Sequence, residues 1–151
     1  MVTGLLLKEE FGMQLDSIFF NGIIEMFTLC MDREFGVDIK KINQKCKFEN
    51  RGYFCIEYKY LPKNYKIVIE NEIRTYDITI IDDDEASNSL SRIAKFENQL
   101  SKESINNAIM ILKDVLEKNN FNMYFHQNGK LYKKNTEGIK RVKDLRELQN
   151  G

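Results

Sequence analysis

The side chains best suited to chemistry in this sequence are a lone histidine and three cysteines. His126 is the only histidine, and it lies between Phe125 and Gln127 in a run typical of a strand. To act as a general base it would need a nucleophile or a carboxylate within hydrogen-bonding reach, and sequence alone identifies no such partner. We therefore expect His126 to be structural or simply exposed, because histidine is readily accommodated in folds without a functional role.

The cysteines, Cys30, Cys46 and Cys55, are odd in number and widely spaced. They lack the short paired spacing with which a loop surrounds zinc, and their pattern is not that of a disulfide framework. We expect core thiols in a reducing compartment. The sequence also has no glycine-rich loop of the kind that holds phosphates. It therefore predicts no catalytic residue, no metal site and no cofactor.

The densest run of charge is Asp82-Asp83-Asp84-Glu85, at the end of a predicted strand. Carboxylates suit hard divalent cations, but neighbours in sequence rarely converge on one ion, and the spaced pattern of a calcium loop is missing. A solvated loop, or acidic residues favoured by the dipole of a following helix, is the simplest interpretation. Of the functional alternatives, the run favours an acidic docking patch for another protein over a metal site.

Aromatic and basic side chains are concentrated in the predicted sheet. Together they could stack on single-stranded nucleic acid and neutralise its phosphates. Acidic residues on the same strands would repel phosphate, so core packing and cross-strand pairing are the favoured roles. The aromatic residues are Tyr53, Tyr58, Tyr60, Tyr65 and Tyr76 with Phe48 and Phe54, and the lysines are Lys45, Lys47, Lys59, Lys63 and Lys66.

Length and composition place the chain among folded globular domains. It has 151 residues, of which 42% are hydrophobic and 30% charged, so we expect a single domain over residues 1–151.

Basic and acidic residues number 23 each, so no net field draws the chain to nucleic acid or to an anionic membrane. The segment 129–151 is nevertheless basic, with seven basic and three acidic residues. The N-terminus does not look like a signal peptide, and no apolar run is long enough to span a membrane.

The elements that position these residues follow from the spacing of apolar side chains. Spacings of three and four predict helices, and alternation of β-branched and aromatic residues predicts strands. The predicted helices are Gln14–Phe35, Asn88–Asn98, Lys102–Lys118 and Ile139–Leu148, and the predicted strands are Tyr53–Leu61, Tyr65–Glu70, Ile73–Ile81, Phe121–Gln127 and Lys130–Lys134. The expected class is α+β, with an antiparallel meander sheet packed by an N-terminal helix and a central helix pair. A C-terminal β-hairpin, turning at Asn128-Gly129, and a short closing helix complete the prediction.

Four segments in the second half of the sequence carry a resemblance to a known family. They are Ala86-Ser87-Asn88-Ser89-Leu90-Ser91-Arg92-Ile93, Leu112-Lys113-Asp114-Val115-Leu116, Gly129-Lys130-Leu131-Tyr132-Lys133 and Gly138-Ile139-Lys140-Arg141-Val142-Lys143-Asp144-Leu145. These segments resemble a family of small α+β immunity proteins from bacterial polymorphic-toxin systems, and the similarity covers about residues 65–148. The resemblance implies a cytoplasmic non-enzyme that binds and blocks a cognate toxin domain, by shape and charge complementarity. It carries over no catalytic residue.

The expected function is therefore neutralisation of a toxin domain through an acidic surface. The alternative is a small nucleic-acid-binding or regulatory module that uses the sheet aromatics and the basic C-terminal segment. An enzyme with an unusual carboxylate or tyrosine site has the least support. The residues predicted to contact a toxin partner are Asp82, Asp83, Asp84 and Glu85, with Glu70, Glu72 and Tyr76 on the adjoining strands.

Overall fold

The fold is a helical layer packed on one face of an antiparallel sheet, as seen in a computed structural model. The structure describes residues 2–47 and 52–150, and the side chains of residues 17–47, 52–146 and 148. The helices are α1 (Val2–Phe35), α2 (Leu90–Ile93) and α3 (Lys102–Lys118), with short 3₁₀ turns at Gly36–Asp38 and Leu145–Asn150. The strands are β1 (Ile39–Lys47), β2 (Tyr53–Tyr60), β3 (Tyr65–Glu72), β4 (Thr75–Ile81), β5 (Ser87–Ser89), β6 (Met123–Gln127), β7 (Lys130–Asn135) and β8 (Gly138–Arg141).

The eight strands form one sheet in which neighbours in space are also neighbours in sequence. The order runs from β1 to β8 and every pair is antiparallel. The junction between β5 and β6 is the narrowest, because it pairs only Ser87 with Tyr124. Asn88 reinforces this junction by donating a side-chain hydrogen bond of 2.8 Å to the carbonyl of Asn122. The predicted α+β meander is therefore confirmed, and the C-terminal hairpin is part of the same sheet.

Strand alternation buries one face of the sheet under α1 and α3. Side chains that alternate along β2, β3 and β4 point into this core, as expected for an antiparallel sheet with a single covered side. Phe27 of α1 is fully buried in this core, and its ring lies 4.9 Å from that of Tyr76 and 5.9 Å from that of Phe54. The residues with no exposed surface include Phe27, Met31, Phe54, Ile56, Ile67, Ile69, Ile78, Ile80, Leu90, Ile105, Ala108, Ile109, Leu112 and Leu116.

Residue chemistry explains where α3 begins and where both long helices end. The side chain of Ser101 caps α3 by accepting a hydrogen bond from the backbone N–H of Ser104 at 3.3 Å, as expected of a serine directly before a helix. Asn119 ends α3 in the left-handed conformation, with φ of 49°. Gly36, with φ of 53°, follows the last residue of α1 and confirms the predicted stop.

Gly52 is required where the chain enters β2. It has φ of 73°, and a side chain there would lie 2.1 Å from the ring of Phe20. The buried side chain of Asn71 holds the same region, accepting from the N–H of Phe54 at 2.7 Å and donating to the carbonyl of Gly52 at 3.2 Å. One asparagine on β3 thereby fixes the start of β2.

Four parts of the structure differ from the sequence predictions. α1 begins at Val2, twelve residues before the predicted start at Gln14. Residues 39–47 form a strand that the sequence did not predict, because lysine and asparagine interrupt its apolar pattern. Only 90–93 of the predicted helix 88–98 is helical, and it follows the three-residue strand β5. The predicted closing helix 139–148 is instead β8 followed by a 3₁₀ turn, since the Asn135–Gly138 pair closes another hairpin. The sequence Asn50-Arg51-Gly52 is also typical of a turn between strands, but Asn50 and Arg51 lie outside the described residues.

Candidate protein-binding surface

The acidic run forms the connection between β4 and β5, and Asp82 organises it. One carboxylate oxygen of Asp82 accepts hydrogen bonds from the backbone N–H groups of Asp84 and Ala86, both at 2.9 Å. The backbone N–H of Asp82 donates to the carbonyl of Ala86 at 2.9 Å, and that of Glu85 donates to the carbonyl of Asp82 at 3.1 Å. Asp82 therefore acts as a turn residue whose side chain satisfies backbone donors.

Lys134 of β7 compensates two of the four acidic charges. Its ammonium group lies 3.1 Å from the second carboxylate oxygen of Asp82 and 2.8 Å from a carboxylate oxygen of Asp84. Hydrogen bonds from Lys134, first to Asp84 and then to Asp82, raise the pKa of the lysine above its ordinary value. This ion triad connects β7 to the β4–β5 turn, so Asp82 and Asp84 serve the fold as well as the surface.

Asp83 and Glu85 are the acidic residues of the turn that are available to a partner. Both are exposed. Asp83 accepts a hydrogen bond from the side chain of Asn64, and the Glu85 side chain has no hydrogen bond or ion pair within the described part of the chain. Both border a shallow groove of about 420 Å³ on the sheet face opposite the helices. The groove is lined by Ile42, Lys59, Asn64, Lys66, Ile81, Asp82, Asp83, Glu85 and Ser87.

The sheet face opposite the helices, called here the open face, also carries Glu70 and Glu72. Glu70 pairs with Cys55 on one side and with Asp77 on the other, and it accepts a hydrogen bond of 2.6 Å from the hydroxyl of Tyr53. Glu72 is exposed at the end of β3. Glu70 and Glu72 lie opposite Asp77 and Thr75, which precede Asp82 by five and seven residues. Because a strand rises roughly 3.3 Å per residue, these carboxylates stand roughly 17 and 23 Å from the acidic turn.

Tyr76 was wrongly predicted as a contact residue. Only 1% of it is exposed, and its hydroxyl lies 3.3 Å from the carbonyl of Ser104, to which it donates. The reason is strand alternation, since Tyr76 shares its face with the buried Ile78 and Ile80. Burial raises the pKa of Tyr76 to about 12.

Asp77 forms a polar cluster on the open face that was not predicted from the sequence. One of its carboxylate oxygens accepts hydrogen bonds from the hydroxyls of Ser89 at 2.7 Å and Ser91 at 3.0 Å. These bonds connect the start of α2 to β4. Serines spaced two apart after an acidic turn were the signal in the sequence, but only the strand pairing of Thr79 with Ser89 shows that they face Asp77.

The predicted aromatic platform is mostly inside the protein. Tyr58, Tyr60 and Tyr76 are 1%, 6% and 1% exposed, so they cannot stack on bases. Tyr53 is exposed and Tyr65 half-buried, whereas Phe48 lies outside the described residues. The structure therefore contradicts the role that the nucleic-acid alternative gives to these buried tyrosines. The basic C-terminal segment is the feature on which that alternative still depends.

The histidine and the cysteines are not grouped. Among the described residues, no three His, Cys, Asp or Glu side chains are placed to hold one metal ion. Cys30 and Cys55 are buried and Cys46 is exposed, all as free thiols, and burial raises the pKa of the two buried thiols. Cys30 donates to the side-chain oxygen of Asn106 at 2.7 Å, so it contributes to the α1–α3 contact. His126 is exposed near the end of β6.

Comparisons of the chain with protein-family models, with curated proteins and with solved structures gave no match. No helix within the described residues is long and apolar enough to cross a membrane. Function must therefore be inferred from the surface residues themselves.

Proposed function

We propose that this protein is a non-enzymatic immunity protein that binds and neutralises a cognate toxin domain in the bacterial cytoplasm. The observation that carries the proposal is the fixed geometry of the acidic turn. Asp82 holds the backbone through two hydrogen bonds of 2.9 Å, so the backbone positions of Asp83 and Glu85 are fixed. Preorganised charges lose less entropy on binding, and charge complementarity steers association with an oppositely charged partner.

The contact surface in this proposal is the open face together with its acidic turn. Glu70 and Glu72 stand near one end of the face, and Asp83 and Glu85 border the groove near the other. Both helices pack on the opposite side of the sheet, so they leave this face available. A basic toxin domain, such as a nuclease, would meet carboxylates at both ends of this surface.

The test begins with the product of the adjacent upstream gene, expressed as its C-terminal domain. Toxicity that co-expression of this chain relieves, together with tight binding in calorimetry, is the expected result. A harmless neighbour that does not bind would overturn the assignment to a toxin.

The contact residues are tested by a variant with Glu70→Gln, Glu72→Gln, Asp83→Asn and Glu85→Gln. It retains Asp82 and therefore the turn. We expect affinity to fall by about 100-fold, equivalent to ~2.7 kcal/mol, because four charges at one interface are removed.

The matched control neutralises four exposed acidic residues of the helical layer and changes the net charge equally. Its substitutions are Glu25→Gln, Asp32→Asn, Glu103→Gln and Glu117→Gln, all at exposed positions. Retention of affinity in the control with loss in the test variant assigns the surface. Equal losses in both would show that only net charge matters and would refute the contact set.

The alternative function, a nucleic-acid-binding or regulatory module, is supported by one observation. Exposed basic side chains are concentrated after β7, and they are Lys140, Arg141, Lys143 and Arg146. This function predicts binding to single-stranded oligonucleotides that weakens steeply with salt. Arg141→Ser with Lys143→Ser should then reduce that binding, whereas the four open-face substitutions should not.

A further inference from the structure

The outer edge of β1 is the longest unpaired strand edge in the described structure. β1 has nine residues and is the first strand of the sheet, so its other side pairs with no described strand. The opposite edge, β8, has only four residues. An exposed edge presents unpaired backbone N–H and C=O groups that can accept an additional strand.

The charge of β1 is entirely of one sign. The strand contains four lysines and no acidic residue. Lys41 is committed to the fold, because its ammonium donates to the Thr28 hydroxyl and to the Gln44 side chain, both at 2.8 Å. The other three, Lys40, Lys45 and Lys47, are exposed and make no hydrogen bond or ion pair within the described part of the chain.

A β-bulge places these three lysines on the same face. The pairing between β1 and β2 shifts between Lys41 and Asn43. Because of this shift, Lys40 lies opposite Lys59, and Lys45 and Lys47 lie opposite Cys55 and Tyr53. All of these partners belong to the open face. If the same residues alternated regularly, without a bulge, Lys40 would point to the side opposite that of Lys45 and Lys47, since side chains alternate along a strand.

We propose that the edge of β1 binds an extended acidic segment of another protein as a ninth strand of the sheet. Backbone hydrogen bonds to β1 would provide the pairing, and carboxylates at alternate positions of the segment would face Lys45 and Lys47. Ile42, which the bulge leaves without a regular pairing partner, is 47% exposed. It would provide an apolar contact in the N-terminal half of β1. The edge of β1 adjoins the open face, and Ile42 also lines the groove bordered by Asp83 and Glu85, but this proposal does not depend on the contact residues proposed for the toxin.

Charge selects this occupant over a second copy of the chain. Pairing between two β1 edges would bring lysines of both copies together, and like charges on directly paired strands are destabilising. The lysines that prevent self-association therefore attract a strand that carries carboxylates.

The test uses a short synthetic peptide in which Glu alternates with Val, titrated against the whole protein. We expect binding, together with slower amide hydrogen exchange in β1, because the outward N–H groups become paired. Two control peptides separate the contributions: one has backbone N-methyl groups on the pairing edge, and the other has Lys in place of Glu.

A double variant, Lys45→Glu with Lys47→Glu, should bind the acidic peptide about tenfold more weakly and prefer the lysine peptide, since exposed ion pairs each contribute only modestly. Lys113→Glu with Lys118→Glu on α3 is the matched control and should change neither preference. Equal binding of the N-methylated peptide would refute strand addition and leave only charge attraction. No binding, a protein dimer formed through β1, or preference for an oligonucleotide over the acidic peptide would each overturn the proposal.

Discussion

Replacing Asp82 by Ala should destabilise the protein far more than replacing either exposed neighbour. The substitution removes two backbone hydrogen bonds of 2.9 Å and the 3.1 Å ion pair with Lys134, in a carboxylate that is only 10% exposed. Hydrogen bonds to charged groups each contribute ~1.5–3 kcal/mol. The hydrogen bond from the N–H of Asp84 contributes less than this, because Asp84 lies at the surface. We therefore expect a loss of about 2–4 kcal/mol in the free energy of unfolding.

Two further substitutions divide this loss into its parts. Asp82→Asn keeps the oxygen that accepts from Asp84 and Ala86 but removes the charge facing Lys134, so it should cost about 1 kcal/mol. Asp83→Ser removes only an exposed side chain with one hydrogen bond to Asn64, and it should cost about 0.5 kcal/mol or less.

The assay is urea unfolding at neutral pH, followed by far-ultraviolet circular dichroism because the chain has no tryptophan. The free energies of unfolding are compared between variants whose free energy falls with urea concentration at the same slope. If Asp82→Ala and Asp83→Ser cost the same, Asp82 does not organise the turn, and the reasoning for a preorganised acidic surface fails with it.

Two other predictions concern the sheet. Ile73 occupies the β3–β4 turn with φ of 56°, is 55% exposed and is β-branched, so Ile73→Asn should raise the free energy of unfolding by about 1 kcal/mol. Ile73→Val, which is also β-branched, is its control, and a loss of stability with Asn would contradict the idea of strain. Burial raises the pKa of both Tyr58 and Tyr76 from an ordinary value of 10 to about 12. Since the folded state holds these protons more tightly, the stability that they contribute is fully present below pH 10 and is lost as pH rises towards 12. Tyrosinate absorbance should show these rings ionising only together with unfolding, and ionisation of all seven tyrosines near their ordinary pKa in a folded protein would contradict this.

The sequence predicted those elements whose side chains have a regular period. α3 has its apolar residues on one stripe and a serine cap, and β3 and β4 alternate cleanly, so their positions and buried faces were predictable. The position of β1 was not predictable. An edge strand that is buried at only one end needs few apolar residues, and lysine dominates the pattern of β1. The prediction of a helix at 139–148 was wrong for a related reason, since the apolar spacing of this segment suits a short helix as well as a hairpin strand.

The candidate surface was predictable only in part. The acidic run was recognisable as a loop between elements. That Asp82 forms the turn whereas Asp83 is available to a partner depends on hydrogen bonds, which the spacing of residues does not indicate. The pairing of Lys134 with Asp82 joins residues far apart in sequence, so no local pattern contains it. Tyr76 was assigned to the surface although its own alternation with Ile78 and Ile80 places it in the core.

The sequential order of the sheet has a consequence for how the chain folds. Each strand pairs with the next one along the chain, so most sheet contacts close short loops, which keeps the entropic cost of each step low. The main exception is the packing of α1 on α3, where Cys30 meets Asn106 across 76 residues. We expect the hairpins of the meander to form early and α1 to dock late, after the rate-limiting step. Substitutions at Phe27 would then change the unfolding rate more than the folding rate.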